Sequence, residues 1–206
     1  MSGAKTTSSA KTLFQLAGVP QRKPALSECA VVVIDAQREY VDGLVPLVGV
    51  EAALAAIGRL LQAARAAGAP VIHVAHKGAE GSGGPFDPKG PGFAFAAPAI
   101  PGPGEGVVEK LLPNSFAGTD LKAQLDATGR KAVIFVGFMT HMCVSTTARA
   151  ALELGYTSFV AADAVATRAL PDPLGGPDLA AHDIHRTALA ELADRFATVV
   201  TTAEIA

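Results

Sequence analysis

Cys143 is the side chain in the sequence best placed to act as a nucleophile. It lies where an apolar run ends at Gly137 and a helical pattern begins, so it is predicted at the start of a helix. The dipole and unpaired N–H groups of a helix N-terminus favour a thiolate, and can lower a cysteine pKa from about 8.5 into the range of about 3.5–7.5. A thiolate is a good nucleophile. The alternative is that Cys143 is a small buried apolar side chain, as free cysteines often are.

Two charged residues are predicted at the same edge of the fold as Cys143. Asp35 ends one apolar strand and Lys110 follows another. Because ligands of open parallel sheets bind outside the carboxyl ends of the strands, the three side chains are expected to converge there as base, cation and nucleophile. Structural roles remain open for each of them: Asp35 as an acceptor in a turn, and Lys110 as a surface lysine paired with Glu105 or Glu109.

The elements that would position these residues alternate between strand and helix. Apolar, mostly β-branched stretches predict strands over residues 30–35, 70–75, 107–109, 131–136, 157–162 and 197–201. Apolar residues at helical spacing predict helices over residues 50–64, 120–128, 143–154 and 178–195. The alternation predicts an α/β fold in which helices flank both faces of a mostly parallel six-stranded sheet.

The domain organisation follows from the same pattern. Residues 1–28 predict an N-terminal arm, of which residues 1–9 are expected to be disordered and residues 12–17 to form one short helix. Residues 29–206 predict a single domain. Residues 77–106 are rich in Gly and Pro, contain Phe86, Phe93 and Phe95, and predict a long loop. Two interpretations stay open for it: a flap that covers substrate or contacts another subunit, or a mobile insertion.

The amino-acid composition limits the kinds of partner that the protein is expected to bind and the compartment in which it is expected to occur. The 206 residues have a formal net charge of −2, which provides no basic field for nucleic acid or for an anionic membrane, so a small-molecule partner is expected. Cys29 and Cys143 are too few for a disulfide framework. No stretch approaches the roughly 18 apolar residues of a membrane span, and the first 27 residues lack the apolar core of a signal peptide. We expect a soluble, cytoplasmic protein.

Three ordered motifs carry a resemblance to a known family. They are VIDAQREY at residues 33–40, VEK at residues 108–110 followed by NSFAGT at residues 114–119, and GFMTHMCV at residues 137–144. Together they resemble the isochorismatase-like cysteine hydrolase family, which includes nicotinamidases. The resemblance extends from residue 30 to residue 200. It implies a three-layer, Rossmann-like fold, a homo-oligomer, and a catalytic triad matched here by Asp35, Lys110 and Cys143.

The resemblance also implies a mechanism for cleaving the C–N bond of a small amide. Asp35 takes the thiol proton, Lys110 stabilises the pair electrostatically, and Cys143 attacks the carbonyl to form an acyl-enzyme that water hydrolyses. It places an oxyanion hole at the backbone N–H groups of Met139 and Cys143, beside a cis peptide between Phe138 and Met139. One such donor contributes about 10²- to 10³-fold in rate.

A substrate pocket is expected around the triad. Five residues are predicted to line it: Gln37, Tyr40, His76, Phe116 and Phe138. Its walls are expected to be relatively apolar.

The sequence departs from nicotinamidases at the metal site. Those enzymes bind a divalent cation through an Asp-x-His motif and a further His, but the acid is absent from residues 71–78. His73 and His76 are three apart in a strand and should point to opposite faces, so no metal is expected, and His73 is predicted to be a core histidine. His182 and His185 are predicted on a solvated helix face. The Gly-rich fragments lack the flanking strand and helix of a phosphate-binding loop, so no cofactor is expected.

Three alternatives to the amide hydrolase remain. One is isochorismatase-type hydrolysis of a vinyl ether, which the resemblance allows but which needs an acid more than a thiol. Another is a binding protein that kept the fold without turnover, although burying a charged pair beside a thiol would be costly without a function. A Cys–His dyad of Cys143 with His141 is a minor mechanistic alternative.

Overall fold

The computed structural model describes residues 10–205, so the disorder predicted for residues 1–9 lies outside the described residues. The predicted elements are present within a few residues of their expected bounds. The strands are β1 (Cys29–Ile34), β2 (Val71–His76), β3 (Gly106–Lys110), β4 (Ala132–Phe138), β5 (Thr157–Ala166) and β6 (Thr198–Val200). The α-helices are α1 (Leu13–Leu16), α2 (Val50–Ala66), α3 (Leu121–Ala127), α4 (Ser145–Glu153) and α5 (Ala181–Arg195).

The six strands form one sheet in the order β3-β2-β1-β4-β5-β6, and every neighbouring pair is parallel. From β1 the chain winds outward through β2 and β3, then returns to the other side of β1 to form β4, β5 and β6. The winding direction therefore reverses between β1 and β4. In open α/β sheets the crevice at this reversal is where ligands bind.

Helices cover both faces of the sheet, which explains the unbroken apolar runs. All residues of β1 and β4 are buried, as expected of strands with no solvent-facing side. Helix α2 packs on one face through its buried residues, among them Leu54, Ile57 and Leu61. Residues of α3, α4 and α5 join the core of the opposite face. The predicted three-layer, Rossmann-like fold is confirmed, with a sheet that is wholly parallel.

The described part of the N-terminal arm lies against α5. The backbone N–H of Leu13 donates to Asp194 Oδ1 at 2.7 Å, and the Arg195 guanidinium lies 5.5 Å from the centre of the Phe14 ring. The arm thus extends the surface of the domain on the side of α5. Across residues 10–205, no helix combines the length and the apolar character needed to cross a bilayer.

Candidate active site

The structure brings together the three side chains singled out in the sequence. Asp35 follows β1, Lys110 ends β3, and Cys143 lies in a π-helical turn, Thr140–Val144, between β4 and α4. Lys110 Nζ is 2.7 Å from Asp35 Oδ2 and donates to Cys143 Sγ at 3.3 Å. Asp35 is 0%, Lys110 1% and Cys143 5% exposed. A carboxylate, an ammonium and a thiol are therefore in contact at the reversal of the sheet, shielded from bulk water.

Sheet order explains how Lys110 reaches Asp35. Strand β3 is two strands away from β1, with β2 between them. The lysine side chain extends past the end of β2, where its Nζ also lies 3.3 Å from His76 Nδ1. His76 and Lys110 are partners in the register of β2 and β3, so the contact is fixed by strand pairing.

The backbone around Asp35 and Cys143 is shaped by a close approach of β1 and β4. Gly137 has φ of 108°, and a Cβ built on it would lie 1.9 Å from the carbonyl oxygen of Ile34. Only glycine fits, because another residue would meet both an unfavourable φ and a backbone clash. Asp35 itself has φ of 49°, in the left-handed region that aspartate tolerates better than most residues. This close approach allows residues after both strands to share one site.

The turn that carries Cys143 is held by two histidine–threonine contacts. Thr140 Oγ1 lies 3.0 Å from His185 Nδ1, and His141 Nδ1 lies 2.5 Å from Thr167 Oγ1. The peptide bond between Phe138 and Met139, immediately before this turn, is cis. The contacts connect the turn to α5 and to the end of β5.

These contacts revise two histidine predictions. His185 is half-buried against Thr140, so its placement on a solvated face is wrong, whereas His182 is exposed beside Asp183. His141 contacts Thr167, and no hydrogen bond joins it to Cys143 within residues 10–205. A Cys–His dyad therefore has no support in the geometry.

The pKa of Cys143 differs from the expectation of a stabilised thiolate. Burial and, after it, the Asp35 carboxylate together raise the pKa of the thiol to about 12, against the lowering effect of the Lys110 ammonium. Burial also raises the pKa of Asp35, against the lowering effect of Lys110. The prediction of a lowered thiol pKa from a helix N-terminus is wrong because the thiol is buried, and burial favours its neutral form. The resting site therefore holds a protonated thiol next to its base.

The raised thiol pKa predicts a steep pH dependence of alkylation. With a pKa of about 12, the thiolate fraction and hence the rate at Cys143 should rise about tenfold per pH unit from pH 7 to 10, since only the thiolate reacts. Iodoacetamide labelling in a Cys29→Ala background, followed by intact mass, measures this rate. A rate that levels off below pH 8 would contradict the pKa assignment.

A second pair of buried polar residues fixes Lys110 relative to the turn. The Ser115 backbone N–H donates to Thr147 Oγ1 at 3.0 Å, and the Thr147 hydroxyl donates to Ser115 Oγ at 2.9 Å. Both side chains are fully buried. They connect the segment after Lys110 to the first turn of α4, just beyond Cys143. Neither residue was predicted to act at the site: Ser115 lies within one of the three motifs, and Thr147 could have been identified as a threonine on the apolar side of a helix.

Three of the predicted pocket residues belong to segments next to Asp35, Lys110 and Cys143. Tyr40 and Phe138 are buried and pack edge to face with ring centres 5.7 Å apart. His76 is half-buried and contacts Lys110, and its ring lies 5.0 Å from that of Phe86. Of the three, His76 thus has a direct contact with the buried ion pair, through Lys110.

The roles of Gln37 and Phe116 in the pocket stay predictions, and both side chains have partners within the fold. Gln37 is fully buried, and its amide bonds to the backbone of His76 and Phe93: Nε2 donates to both carbonyls and Oε1 accepts from the His76 N–H. Phe116 stacks on Tyr156 with ring centres 6.0 Å apart. Tyr156 immediately precedes β5, so the Phe116 ring packs against the start of that strand.

The long loop is anchored to the domain, which favours the flap over a mobile insertion. Glu39 is 3% exposed, and its carboxylate accepts from the backbone N–H groups of Leu44 at 2.6 Å and Phe86 at 3.2 Å. Gly92 approaches so closely that an added Cβ would lie 2.0 Å from Glu39 Oε2. The Phe86 ring packs on Tyr40 with centres 5.1 Å apart. Glu39 and the Gln37 amide therefore fasten residues 77–106 over the site.

Replacing Glu39 with alanine should loosen this loop. Two backbone N–H groups would lose their acceptor, and each unsatisfied buried group costs about 1–3 kcal/mol, so the free energy of unfolding should fall by about 2–4 kcal/mol. Urea denaturation measures the loss, and limited proteolysis should show new cleavage within residues 77–106. Glu80→Ala is the matched control, since Glu80 is exposed in the same loop and pairs only with Lys89. Equal stability losses in both variants would contradict the anchoring role.

The histidines of β2 do not fit a nicotinamidase-type metal site. His73 is fully buried and its Nε2 lies 2.8 Å from Glu105 Oε2, whereas His76 contacts Lys110. Glu105 is also bound by Arg65, whose hydrogen bond is the main reason that the pKa of Glu105 is lowered to about 2. Across residues 10–205, no three His, Cys, Asp or Glu side chains are grouped as metal ligands.

A cavity of about 610 Å³ opens at the end of β3, and Lys110 is the site residue that lines it. Its walls contain apolar residues and both members of the ion pair between Lys77 Nζ and Glu109 Oε2, which are 3.1 Å apart. The lining residues are Lys77, Glu109, Lys110, Leu111, Leu112, Ala117 and Gly118. The volume suits a small molecule rather than a polymer.

Comparison with known proteins agrees with this geometry. A family model described as "Isochorismatase domain" matches residues 29–204. The "Secreted isochorismatase effector Isc1" of Verticillium dahliae is 40% identical over 189 residues, which cover 91% of this chain and 95% of that protein. A crystal structure of an isochorismatase from Pseudomonas putida KT2440 superposes with a TM-score of 0.90 at 42% identity, covering 96% of this chain and 100% of that chain.

One relative has an amide-cleaving activity in its name. The "Ureidoacrylate amidohydrolase RutB" of Rhizobium rhizogenes is 32% identical over 172 residues, which cover 67% of this chain and 70% of that protein. Similarity therefore extends to hydrolases of amide-type bonds.

Proposed function

The chain belongs to the isochorismatase family, and from this premise we propose that it is a hydrolase that cleaves the C–N bond of a small amide through Cys143. One observation carries the proposal: a single buried ammonium, Lys110 Nζ, contacts both Asp35 Oδ2 at 2.7 Å and Cys143 Sγ at 3.3 Å. A base, a cation and a thiol in contact at the sheet reversal meet the requirements of nucleophilic acyl transfer. The amidohydrolase among the relatives supports the choice of an amide over other carbonyl substrates.

In the first step Sγ attacks the amide carbonyl carbon. The C–S bond forms, the carbonyl electron pair moves onto oxygen, and the thiol proton passes to Asp35. Because the thiol is protonated at rest, proton transfer accompanies attack. Lys110 lowers the cost of this step, since its ammonium stabilises the negative charge that moves from the carboxylate towards sulfur.

In the second step the tetrahedral intermediate collapses to an acyl-enzyme. The C–N bond breaks, and Asp35 returns its proton to the departing ammonia or amine. Water then loses a proton to Asp35 and attacks the thioester carbon, the C–S bond breaks, and the proton restores the Cys143 thiol. We assign the stabilisation of the oxyanion to the backbone N–H groups of Met139, which immediately precedes the turn fixed by His141 and His185, and of Cys143, which lies in that turn.

Two other functions remain as outcomes of the test. Hydrolysis of a vinyl ether needs a proton delivered to carbon and leaves the thiol without a role. A binding protein needs no base next to a thiol.

Ammonia release from a panel of small amides, measured with purified protein beside a vinyl ether substrate, tests the proposal. We expect ammonia from at least one amide and a Cys143 adduct, seen by intact mass after acid quenching, that carries the acyl group. Vinyl ether cleavage without ammonia would replace the proposal by the isochorismatase reaction. Binding of amides without turnover would replace it by a binding function.

Compartment and assembly are further parts of the proposal. We propose a homo-oligomer located in the cytoplasm that acts on a small molecule, without a nucleic-acid or membrane partner. The relative from Verticillium dahliae is described as secreted, so the compartment needs its own measurement. Light scattering coupled to gel filtration and fractionation of the source cells measure the two properties.

A further inference from the structure

The mechanism gives no function to the imidazole of His76, which contacts the buried ion pair. Its Nδ1 lies 3.3 Å from Lys110 Nζ, and the same Nζ is bound to Asp35 and to Cys143. A lysine ammonium has three N–H donors and no acceptor. Asp35, Cys143 and His76 are therefore the three polar side chains that surround the Lys110 ammonium.

This arrangement fixes the tautomer of His76. Since Lys110 can only donate, Nδ1 must accept, and in a neutral imidazole the proton then lies on Nε2. The ring remains neutral because burial, and secondarily the charge of Lys110, lower the pKa of His76 to about 4. At neutral pH the residue thus presents an N–H donor at Nε2.

The Nε2–H group is available to a ligand. Among residues 10–205 it has no hydrogen-bond partner, and it is not one of the buried polar atoms that lack a partner, so it remains reachable from solvent. The ring is held edge-on against Phe86, with centres 5.0 Å apart. The two 3.3 Å contacts of Lys110 place the imidazole within about two hydrogen-bond lengths of Cys143 Sγ.

We propose that His76 is a specificity-determining residue whose Nε2–H donates to a hydrogen-bond acceptor beside the scissile carbon of the substrate. The substrate class is a small amide that carries a carboxylate or a second carbonyl next to the carbon attacked by Cys143. The inference rests on the proposed nucleophilic role of Cys143 and adds to it a preference among substrates. A site with a donor in place favours a substrate that has the acceptor, because an analogue without one leaves the donor unpaired.

Alkylation of Cys143 tests the inference without requiring turnover. In each reaction Sγ attacks the iodinated carbon, a C–S bond forms, iodide leaves and the thiol proton is lost to base. Iodoacetate has a carboxylate beside the reacting carbon, and allyl iodide is activated but has no acceptor. The ratio of their second-order rates, measured at pH 9 by intact mass in a Cys29→Ala background, reports recognition of the acceptor.

Two substitutions test the roles of the two imidazole nitrogens independently. His76→Asn retains an acceptor near the position of Nδ1 but loses the donor at Nε2, and should lower the iodoacetate-to-allyl iodide ratio about tenfold, the equivalent of one hydrogen bond to a charged group. His76→Gln places an amide N–H near the position of Nε2 and should retain the ratio within about threefold. Lys89→Ala removes an exposed cation of the loop at residues 77–106 and should leave the preference unchanged.

The outcomes are distinguishable from failure of the proposed function. An unchanged ratio in His76→Asn, an equal loss in His76→Gln, or a loss of the same size in Lys89→Ala would overturn the role of His76. If the wild-type protein hydrolyses no amide while the ratio still depends on His76, the amidase proposal fails and the recognition role stands. If amides are hydrolysed but the ratio does not depend on His76, the amidase proposal stands and the recognition role of His76 fails.

Discussion

Replacing Cys143 with alanine is expected to lower kcat/KM for amide hydrolysis by at least about 10³-fold, as deletion of a nucleophile does in other hydrolases. Asp35 and Lys110 would remain in contact, but no atom within their reach could form the acyl-enzyme. The loss should fall on kcat, because the walls of the adjacent cavity are unchanged and substrate can still bind. Steady-state ammonia release measures both constants, and the acyl adduct should disappear from the mass spectrum.

Cys29 supplies the matched control for this variant. It is also a buried thiol, 1% exposed at the start of β1, but it lies at the opposite end of that strand from Asp35. Cys29→Ala should reduce stability by about 0.5–3 kcal/mol, as typical core substitutions do. Its kcat should stay within about twofold, because distant sites act independently. Turnover by Cys143→Ala within tenfold of wild type would refute the covalent mechanism.

The fold could be predicted because strands that are buried on both faces of a sheet have uninterrupted apolar sequences. The run at residues 30–34 has no polar position, which only a strand covered on both sides permits, and the helix over residues 50–66 repeats its apolar residues every three or four positions. The all-parallel order follows from alternation of strand and helix. Convergence of Asp35, Lys110 and Cys143 follows in turn, since parallel strands end at one edge.

The orientation of side chains outside the strands could not be predicted from the sequence. Gln37 and Phe116 belong to irregular segments, where spacing does not determine orientation, so the hydrogen bond of Gln37 to the flap and the stacking of Phe116 on Tyr156 were not predicted. His185 was assigned to solvent by helical spacing alone, but the turn before α4 packs on that face and contacts it through Thr140. Each miss is a tertiary contact between segments that are distant in sequence.

The thiol pKa was missed for a related reason. Position at a helix start is visible in the sequence, whereas the extent of burial is not, and burial raises the pKa of Cys143 to about 12 against the opposing charge of Lys110. In the resting enzyme the proton therefore stays on the sulfur until Asp35 removes it. Catalysis through Cys143 then requires a base within contact distance of the thiol.

Replacing Lys110 with methionine is expected to destabilise the protein by about 3–5 kcal/mol, because it leaves Asp35 buried without a countercharge. The pKa of Asp35 is already raised by burial, and without the ammonium it should rise further. A carboxyl whose folded pKa lies above its unfolded value binds more protons when folded, so stability is retained below the unfolded pKa near 4 and lost as pH rises. Urea denaturation should therefore show a larger loss at pH 8 than at pH 5.

The double variant Asp35→Asn, Lys110→Met separates structure from chemistry. Removing both charges eliminates the uncompensated carboxylate, and buried ion pairs replaced by neutral groups are often as stable as the original. Asparagine also tolerates the φ of 49° at this position. We expect the double variant to recover at least half of the stability lost by Lys110→Met while kcat/KM stays at least about 10³-fold below wild type. If stability does not recover, the loss in the single variant comes from packing of the lysine chain. Recovery of activity together with stability would mean that Asp35 and Lys110 are structural, because a general base and its cation cannot be replaced by an amide and a thioether.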